Sequence, residues 1–531
     1  MRIFSICCNL LSLQKISHIR SSPFKINSNS NNNSILNLLQ IHMMNPKDTS
    51  TSPESAQPPL EVEVKLEMEL TEYEQLLRKI YFISNVKRDL HNIMQLNNIL
   101  QQPLDDPSIS VIHVAGTNGK GSVCHKIAKT LELAGYRVGL LISPHISSYR
   151  ERMSINGQLI SESDVTRLLQ KIFDIMEKHQ VRPTFFEITT ALSFLYFQEN
   201  DVDVVVLETG LGGLLDATNV ISKPVLSVIT SIGLEHTAIL GNTVELIAEH
   251  KAGIIKKGCP ALVGPNVPHA TIRRVAKERL AEGYYTCQDV LGEDNDDSSN
   301  GGKLMIQGTE YVDYDKENSR TARAAVMLLA QKHPGKFPLE RITPGIVQEG
   351  IAQRPSCRFE EIITDENSIT ILDIAHNPPA MKTLVAKLQA TYPSQPKRFI
   401  VGFSADKDIS EIGNLLLSVV PDPSHIHLVE AVNLRAAKLE EIFCSVPQLK
   451  DANSLVKDRS ITAQVKCARE LADSRGEVLV VCGSVFLMSE ARQALGVEEA
   501  RDSDNITKVA GKGLMKCKET LMASKSSDKD P

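Results

Sequence analysis

Val114-Ala115-Gly116-Thr117-Asn118-Gly119-Lys120-Gly121-Ser122 is the stretch from which the fold can be read. It lies between an apolar run, 109–114, that predicts a strand and an amphipathic run, 123–134, that predicts a helix. Strand, glycine-rich turn and helix in that order make a phosphate loop. Glycines let backbone N–H groups approach phosphate oxygens, and the helix N-terminus adds favourable partial charge. Lys120 can neutralise the outer phosphates and Ser122 can ligate Mg2+. The spacing departs from GxxxxGK[ST]: three residues separate Gly116 from Lys120, and Gly121 stands between the lysine and the hydroxyl.

Outward from the loop, helix and strand patterns alternate. Helices are predicted near 73–80 and 89–100, and strands at 136–142, 202–207 and 225–232, with a buried helix over 186–197. The valine-rich 202–207 run shows little polar alternation, as expected of a strand covered on both faces. This order predicts an α/β fold: an N-terminal P-loop ATPase domain with a mostly parallel sheet. A further helix is predicted at 318–331, and a smaller Rossmann-like α/β domain starts near Ser356, with strands at 369–374, 398–403, 425–429 and 477–482. The expected boundaries are a leader, 1–43; a Pro/Ser/Thr-rich linker, 44–60; the ATPase domain, 61–355; the second domain, 356–497; and a charged, disordered tail, 498–531. Residues 292–302 read as an exposed acidic loop.

Composition narrows the function classes. Of 531 residues, 42% are hydrophobic and 23% charged, with a formal charge of −6, which gives no reason to expect nucleic acid as a partner. No apolar run is long enough to span a bilayer, so membrane insertion is not expected. Ten cysteines form no CxxC pair and read as reduced thiols. Residues 1–47 contain no Asp or Glu but carry Arg2, Lys15, Arg20, Lys25 and Lys47 amid Ser and Asn, the composition of an organelle transit peptide. A mitochondrial matrix location follows as an expectation, with a shorter cytosolic form starting at Met43 or Met44.

The short loop form resembles that of the Mur ligase superfamily, and further stretches resemble its dihydrofolate synthase/folylpolyglutamate synthase family. They are Ser143-Pro144-His145, Glu151-Arg152, Thr184-Phe185-Phe186-Glu187, Glu208-Thr209-Gly210-Leu211-Gly212-Gly213, Leu215-Asp216-Ala217-Thr218-Asn219, Glu235-His236-Thr237 and His250-Lys251-Ala252-Gly253-Ile254. In the second domain follow Arg358-Phe359-Glu360, Asp373-Ile374-Ala375-His376-Asn377-Pro378 and Cys482-Gly483-Ser484. Peptidoglycan Mur ligases place a whole domain before the loop; about 70 residues between Met44 and Gly116 leave no room for one.

The resemblance implies carboxylate activation by ATP, then attack by the glutamate amine. The expected partners are dihydropteroate, glutamate and ATP, with Mg2+ at two sites, and a monomer is expected. Asn118 and the Arg358-Phe359-Glu360 triplet lean towards dihydrofolate synthase; extension of the glutamate tail of tetrahydrofolate is the alternative. Leu214 stands where bacterial members often have Arg, and Leu90-His91-Asn92-Ile93 replaces a Gly/Glu-rich turn. By resemblance the nucleotide is held by Gly116, Thr117, Asn118, Gly119, Lys120, Gly121, Ser122, Asn318, Arg358 and Asp373. The metal ligands are Ser122, Ser143, Glu208 and His236. The catalytic residues are Lys120, Lys251, whose family counterpart is often carbamylated, and His376. The pterin pocket is Asp89, Leu90, Thr184, Phe185, Phe186, Glu187, Leu215, Asp216 and Ala217. Each position also fits a plainer part: a strand-end ion pair for Glu208, a structural histidine for His236, core packing for the two phenylalanines.

Overall fold

The computed structural model describes residues 70–83, 89–292, 303–306, 309–363, 368–405, 407–430, 436–452, 458–507 and 509–510. The expectations for 1–43, 44–60, 293–302 and 511–531 fall outside the described residues.

The first sheet has eight strands: β1 Ser110–Ala115, β2 Val138–Leu141, β3 Met153–Ile155, β4 Gln158–Leu159, β5 Val204–Glu208, β6 Leu226–Ile229, β7 Pro260–Val263 and β8 Gly283–Thr286. Their order is β4-β3-β2-β5-β1-β6-β7-β8, parallel except for the β2-β3-β4 edge. From β1 the chain builds one flank through β2 to β5, then returns past β1 to build the other from β6. The end of β1 is therefore the point where strand order reverses, the crevice in which open α/β sheets bind ligands. Register pairs Val114 of β1 with Glu208 of β5, which sets a carboxylate at the root of the phosphate loop.

Both faces of this sheet are covered. Val205 and Leu207 join Leu77, Ile93, Leu168 and Phe194 in one buried cluster. Their neighbours Val204 and Val206 join Ile112, Val123, Ile127 and Leu329 in another. Alternate valines thus serve opposite cores, which is why the strand reads as a continuous apolar run; each such burial stabilises by about 1.5–3 kcal/mol. Lys126, on the helix Lys120–Leu133, is fully buried and donates to the carbonyls of Ile351 (2.5 Å) and Gln353 (3.0 Å), tying that helix to the exit from the first domain.

A hairpin, β9 Lys303–Ile306 and β10 Thr309–Val312, precedes the helix Tyr314–Lys332. The second sheet comprises β11 Glu360–Ile363, β12 Ile369–Leu372, β13 Lys397–Val401, β14 Ile426–Leu428 and β15 Val478–Cys482, in the order β11-β12-β15-β13-β14. All its pairs are parallel except β11 with β12. Cys124, Cys259, Cys287, Cys357, Cys444, Cys467 and Cys482 are free thiols. No helix among the described residues is long and apolar enough to cross a membrane.

The tail corrects the composition reading in part. From 499 to 506 the chain packs on the first domain, with Ile506 only 1% exposed inside the same cluster as Leu77 and Phe194. A single isoleucine among charged residues supplies the apolar anchor that average composition conceals.

His113, mid-β1, is fully buried. Its Nε2 lies 2.7 Å from Thr218 Oγ1, whose hydroxyl donates to Asp216 Oδ1 at 2.6 Å. That network places the ring proton on Nε2, and Nδ1 has no partner. Burial, with a smaller contribution from Lys256, holds its pKa at about 3. Below about pH 6.5 the unfolded chain binds a proton that the folded chain refuses, so stability should fall with pH by up to about 1.4 kcal/mol per unit from this group. Denaturant titrations of His113→Gln between pH 4 and 7 should show a shallower loss; an unchanged slope would refute the assignment.

Candidate active site

The loop is tied to the protein by its carbonyls. Gly116 O accepts from Lys251 Nζ (2.5 Å), Thr117 O from Lys120 Nζ (3.2 Å), and Asn118 O from Thr230 Oγ1 (2.6 Å) and Ser231 Oγ (3.1 Å). Gly119 has φ 82°, a conformation glycine adopts without strain, and a Cβ there would meet Asn318 Oδ1 at 2.1 Å. Asn318 therefore lies directly over the loop. The helix opens at Lys120, and its first N–H groups lack intrahelical acceptors.

Glu208 stands beside this helix end. A Cβ on Gly121 would lie 3.4 Å from Glu208 Oε2, and that oxygen accepts from the Ser143 N–H at 2.9 Å. Burial raises the Glu208 carboxyl above its ordinary pKa, against the opposing pull of Lys120, the Ser143 N–H, Arg358 and Arg152. Arg358 belongs to the second domain, so its charge reaches a first-domain carboxylate. Lys251 is buried; desolvation, with Lys120 adding to it, lowers its amine to about 7. Much of that amine is thus uncharged at neutral pH.

A second constellation spans the two domains. Glu235 Oε1 lies 3.5 Å from Lys407 Nζ and 3.8 Å from His376 Nε2. Burial alone would raise the Glu235 carboxyl, but the His376 imidazole, the neighbouring His236 ring and the charges of Lys120 and Lys407 hold it well below the usual range. His236, at φ 51° just after Glu235, keeps an edge open to solvent. The protein around its ring nevertheless lowers its pKa to about 4, with Lys407, Lys120 and Lys251 adding to burial, so it is neutral at pH 7. Sequence reasoning missed Glu235 and Lys407 as site residues; Glu235 sat inside a quoted motif, whereas nothing local marked Lys407.

Other expected residues have structural employment. Thr184 and Glu187 form a capping box, with Glu187 N donating to Thr184 Oγ1 (3.3 Å) and Thr184 N to Glu187 Oε2 (2.7 Å). Asp216 accepts from Leu211 N, Thr218 N and Thr218 Oγ1, folding the turn after β5. Ala217 is fully buried and Leu215 is exposed. Phe185 stacks on Tyr81 at 5.1 Å, with the Arg152 guanidinium 5.2 Å from its ring centre. Phe186 lies against Gly210. Asp89 caps the start of the helix His91–Ile99, and Leu90 packs on the first core. Asp373 accepts from Phe359 N and Ala375 N, both at 2.8 Å, so each oxygen already shapes its own turn. His376 Nδ1 lies 2.8 Å from Ile374 O, which leaves Nε2 towards Glu235.

The donor set suits a hard cation. Ser122, Ser143 and Glu208 offer oxygens, and His236 a neutral ring nitrogen. Among the described residues no three His, Cys, Asp or Glu side chains converge into a metal cage. One carboxylate with hydroxyls fits Mg2+, which keeps water and takes substrate phosphates as ligands.

Residues 114–267 match the family described as "Mur ligase middle domain", and residues 357–494 match "Dihydrofolate synthetase, C-terminal domain". The dihydrofolate synthase/folylpolyglutamate synthase of Bacillus subtilis (strain 168) is 33% identical over 427 residues, covering 77% of this chain and 95% of that one. The probable dihydrofolate synthetase of Schizosaccharomyces pombe is 29% identical over 425 residues, covering 78% and 99%. Among solved structures, E. coli FolC in complex with DHPP and ADP superposes with a TM-score of 0.64 at 28% identity, covering 80% of this chain and 97% of that one. A bifunctional folylpolyglutamate synthase/dihydrofolate synthase with Mn, AMPPNP and L-glutamate bound gives 0.64 at 28% identity, covering 80% and 98%. With both halves matched and one third of residues shared along nearly the whole Bacillus protein, the chain belongs to the dihydrofolate synthase/folylpolyglutamate synthase family of the Mur ligase superfamily, ATP-dependent ligases of glutamate in folate metabolism.

Proposed function

We propose that the protein joins L-glutamate to 7,8-dihydropteroate, giving dihydrofolate. The observation that carries this reading is Glu208 set against the start of the phosphate-loop helix, in a chain whose second half matches a dihydrofolate synthetase domain. In the first step a carboxylate oxygen of dihydropteroate attacks the γ-phosphorus of ATP, and the bond to ADP breaks. Lys120 and Arg358 balance charge on the transferring oxygens. In the second step the glutamate amine attacks the acyl carbon of the resulting acyl phosphate; phosphate leaves, and the amine loses a proton as the amide forms. His376 would orient the incoming groups, a role supported by its Nε2 lying 3.8 Å from Glu235 across the domains. Mg2+ held by Ser122, Ser143, Glu208 and His236, at two sites, would supply further charge neutralisation. Lys251, as an uncharged amine, can add carbon dioxide at Nζ and lose a proton to solvent, giving a carbamate whose anionic oxygens would help hold the metal.

A second reading, extension of the glutamate tail of tetrahydrofolate, draws support from the double name of the Bacillus relative. Product analysis separates the two. Purified protein is given Mg-ATP and glutamate with dihydropteroate or with tetrahydrofolate. Amide product from dihydropteroate is expected; product from tetrahydrofolate alone would overturn the first reading.

A further inference from the structure

Beyond the second domain's last helix, Met488–Ala494, the chain turns back onto the first domain. It is fastened at both ends. On the second-domain side, Glu499 accepts from Arg492 Nε (2.7 Å) and pairs with Arg501 (3.0 Å), and Arg501 also donates to Ser489 Oγ (3.1 Å). On the first-domain side, Asp502 N donates to Ser147 O (2.9 Å). The Asp502 carboxylate accepts from Ser148 Oγ (2.9 Å), Tyr149 N (2.8 Å) and Tyr73 Oη (3.1 Å). Ile506 is the apolar anchor. These residues follow the matched family domain, which ends at 494.

What the segment grips is a wall of the site. Residues 143–152 begin at the Ser143 N–H that holds Glu208. Glu151 gathers the N–H groups of Ile146, Ser147 and Ser148, each at 2.7 Å. Arg152 donates to His145 Nδ1 at 2.8 Å and lies over Phe185. Ile146 packs on the second-domain cluster that contains Leu487, Met488 and Ala491. The same ten residues thus touch Glu208, the aromatic wall and the second domain.

We propose that residues 499–506 are an interdomain strap and that Asp502, acting through Ser148 and Tyr149, is a positioning residue that sets the 143–152 segment against Glu208. Glu499 and Arg501 hold the strap to the second domain while Asp502 and Ile506 hold it to the first, so opening the domains must break one set or the other. Asp502 is half-buried, and a charge-assisted acceptor fixes its donors more firmly than a neutral one. Loss of its carboxylate frees a segment whose displacement by about 1 Å is enough to lower turnover substantially.

The test compares full-length protein with Asp502→Ala, Asp502→Asn and Tyr73→Phe. Hydrogen exchange over 143–152 needs no substrate, so it is decisive whichever acid the enzyme uses. Asp502→Ala is expected to speed exchange there about tenfold and to raise KM for acid and glutamate about tenfold, with KM for ATP within about twofold. Asp502→Asn, which keeps one acceptor, should fall between, and it serves should the alanine variant fail to fold. Tyr73→Phe removes one bond to the carboxylate and a contact with Ser148 but leaves Asp502 bonded to Ser148 and Tyr149, so its effect on exchange and KM should stay well below that of Asp502→Asn. Unchanged exchange at 143–152 in both Asp502 variants would overturn the proposal. So would protection lost evenly over the whole first domain, since Asp502 would then serve stability alone.

Discussion

Lys120→Met is expected to lower kcat by about three orders of magnitude while leaving the protein folded. The methionine keeps the aliphatic stem and removes the cation at the mouth of the loop, where negative charge grows as phosphoryl is transferred. No buried ion pair is broken, since Lys120 Nζ is engaged only by the Thr117 carbonyl among the hydrogen bonds described. The same charge is one cause of the low Lys251 pKa, second to burial. Its removal should therefore raise the Lys251 pKa above about 7 and increase the protonated fraction at neutral pH. Steady-state kinetics with a thermal melt, and an NMR titration of labelled lysine, read both effects. Turnover within about tenfold of wild type would remove Lys120 from the chemistry.

Glu208→Gln should cost about two to three orders of magnitude in turnover yet stabilise the nucleotide-free protein. The amide keeps the shape and can still accept from Ser143 N. The sign of the stability change follows from the raised carboxyl pKa. A carboxyl whose folded pKa exceeds its unfolded value binds protons more readily when folded, so its ionisation at neutral pH opposes folding. Removing that charge should stabilise the protein, read as a rise in denaturation midpoint at pH 7.5 without Mg-ATP. Lowering the pH towards the ordinary carboxylate range should shrink the gap between the proteins. A variant that is less stable at pH 7.5, or one that keeps wild-type turnover, would refute the placement of an ionised Glu208 at the loop. The opposition of activity and stability in one residue is the expected mark of a site built around charge.

The phosphate loop and its flanking strand were legible because periodicity and glycine placement are local. So was Glu208, since a carboxylate ending a strand covered on both faces has few purposes. The Asn156-Gly157 turn between β3 and β4 carried a hairpin signal in plain sight, and Thr184-x-x-Glu187 carried that of a capping box. The family resemblance assigns Thr184 and Glu187 to the pterin pocket, and their side chains also hold the start of a helix. Glu235 and Lys407 lay beyond local reading, because only the docking of two domains brings them together with His376. Asp502 was hidden for a different reason: a carboxylate in a charged tail looks solvated until its partners, Tyr73 and Tyr149, are found far upstream.

The strap also brings the front and the back of the described chain to one spot, Tyr73 from the first described helix and Asp502 from the last segment. Every described donor to the Asp502 carboxylate thus lies at or after Tyr73. Translation from Met43 or Met44, or removal of a leader anywhere before Thr71, leaves the Asp502 carboxylate fully partnered. Trimming a few residues further would strip Tyr73 from it and leave Ser148 Oγ and Tyr149 N as the donors to its carboxylate.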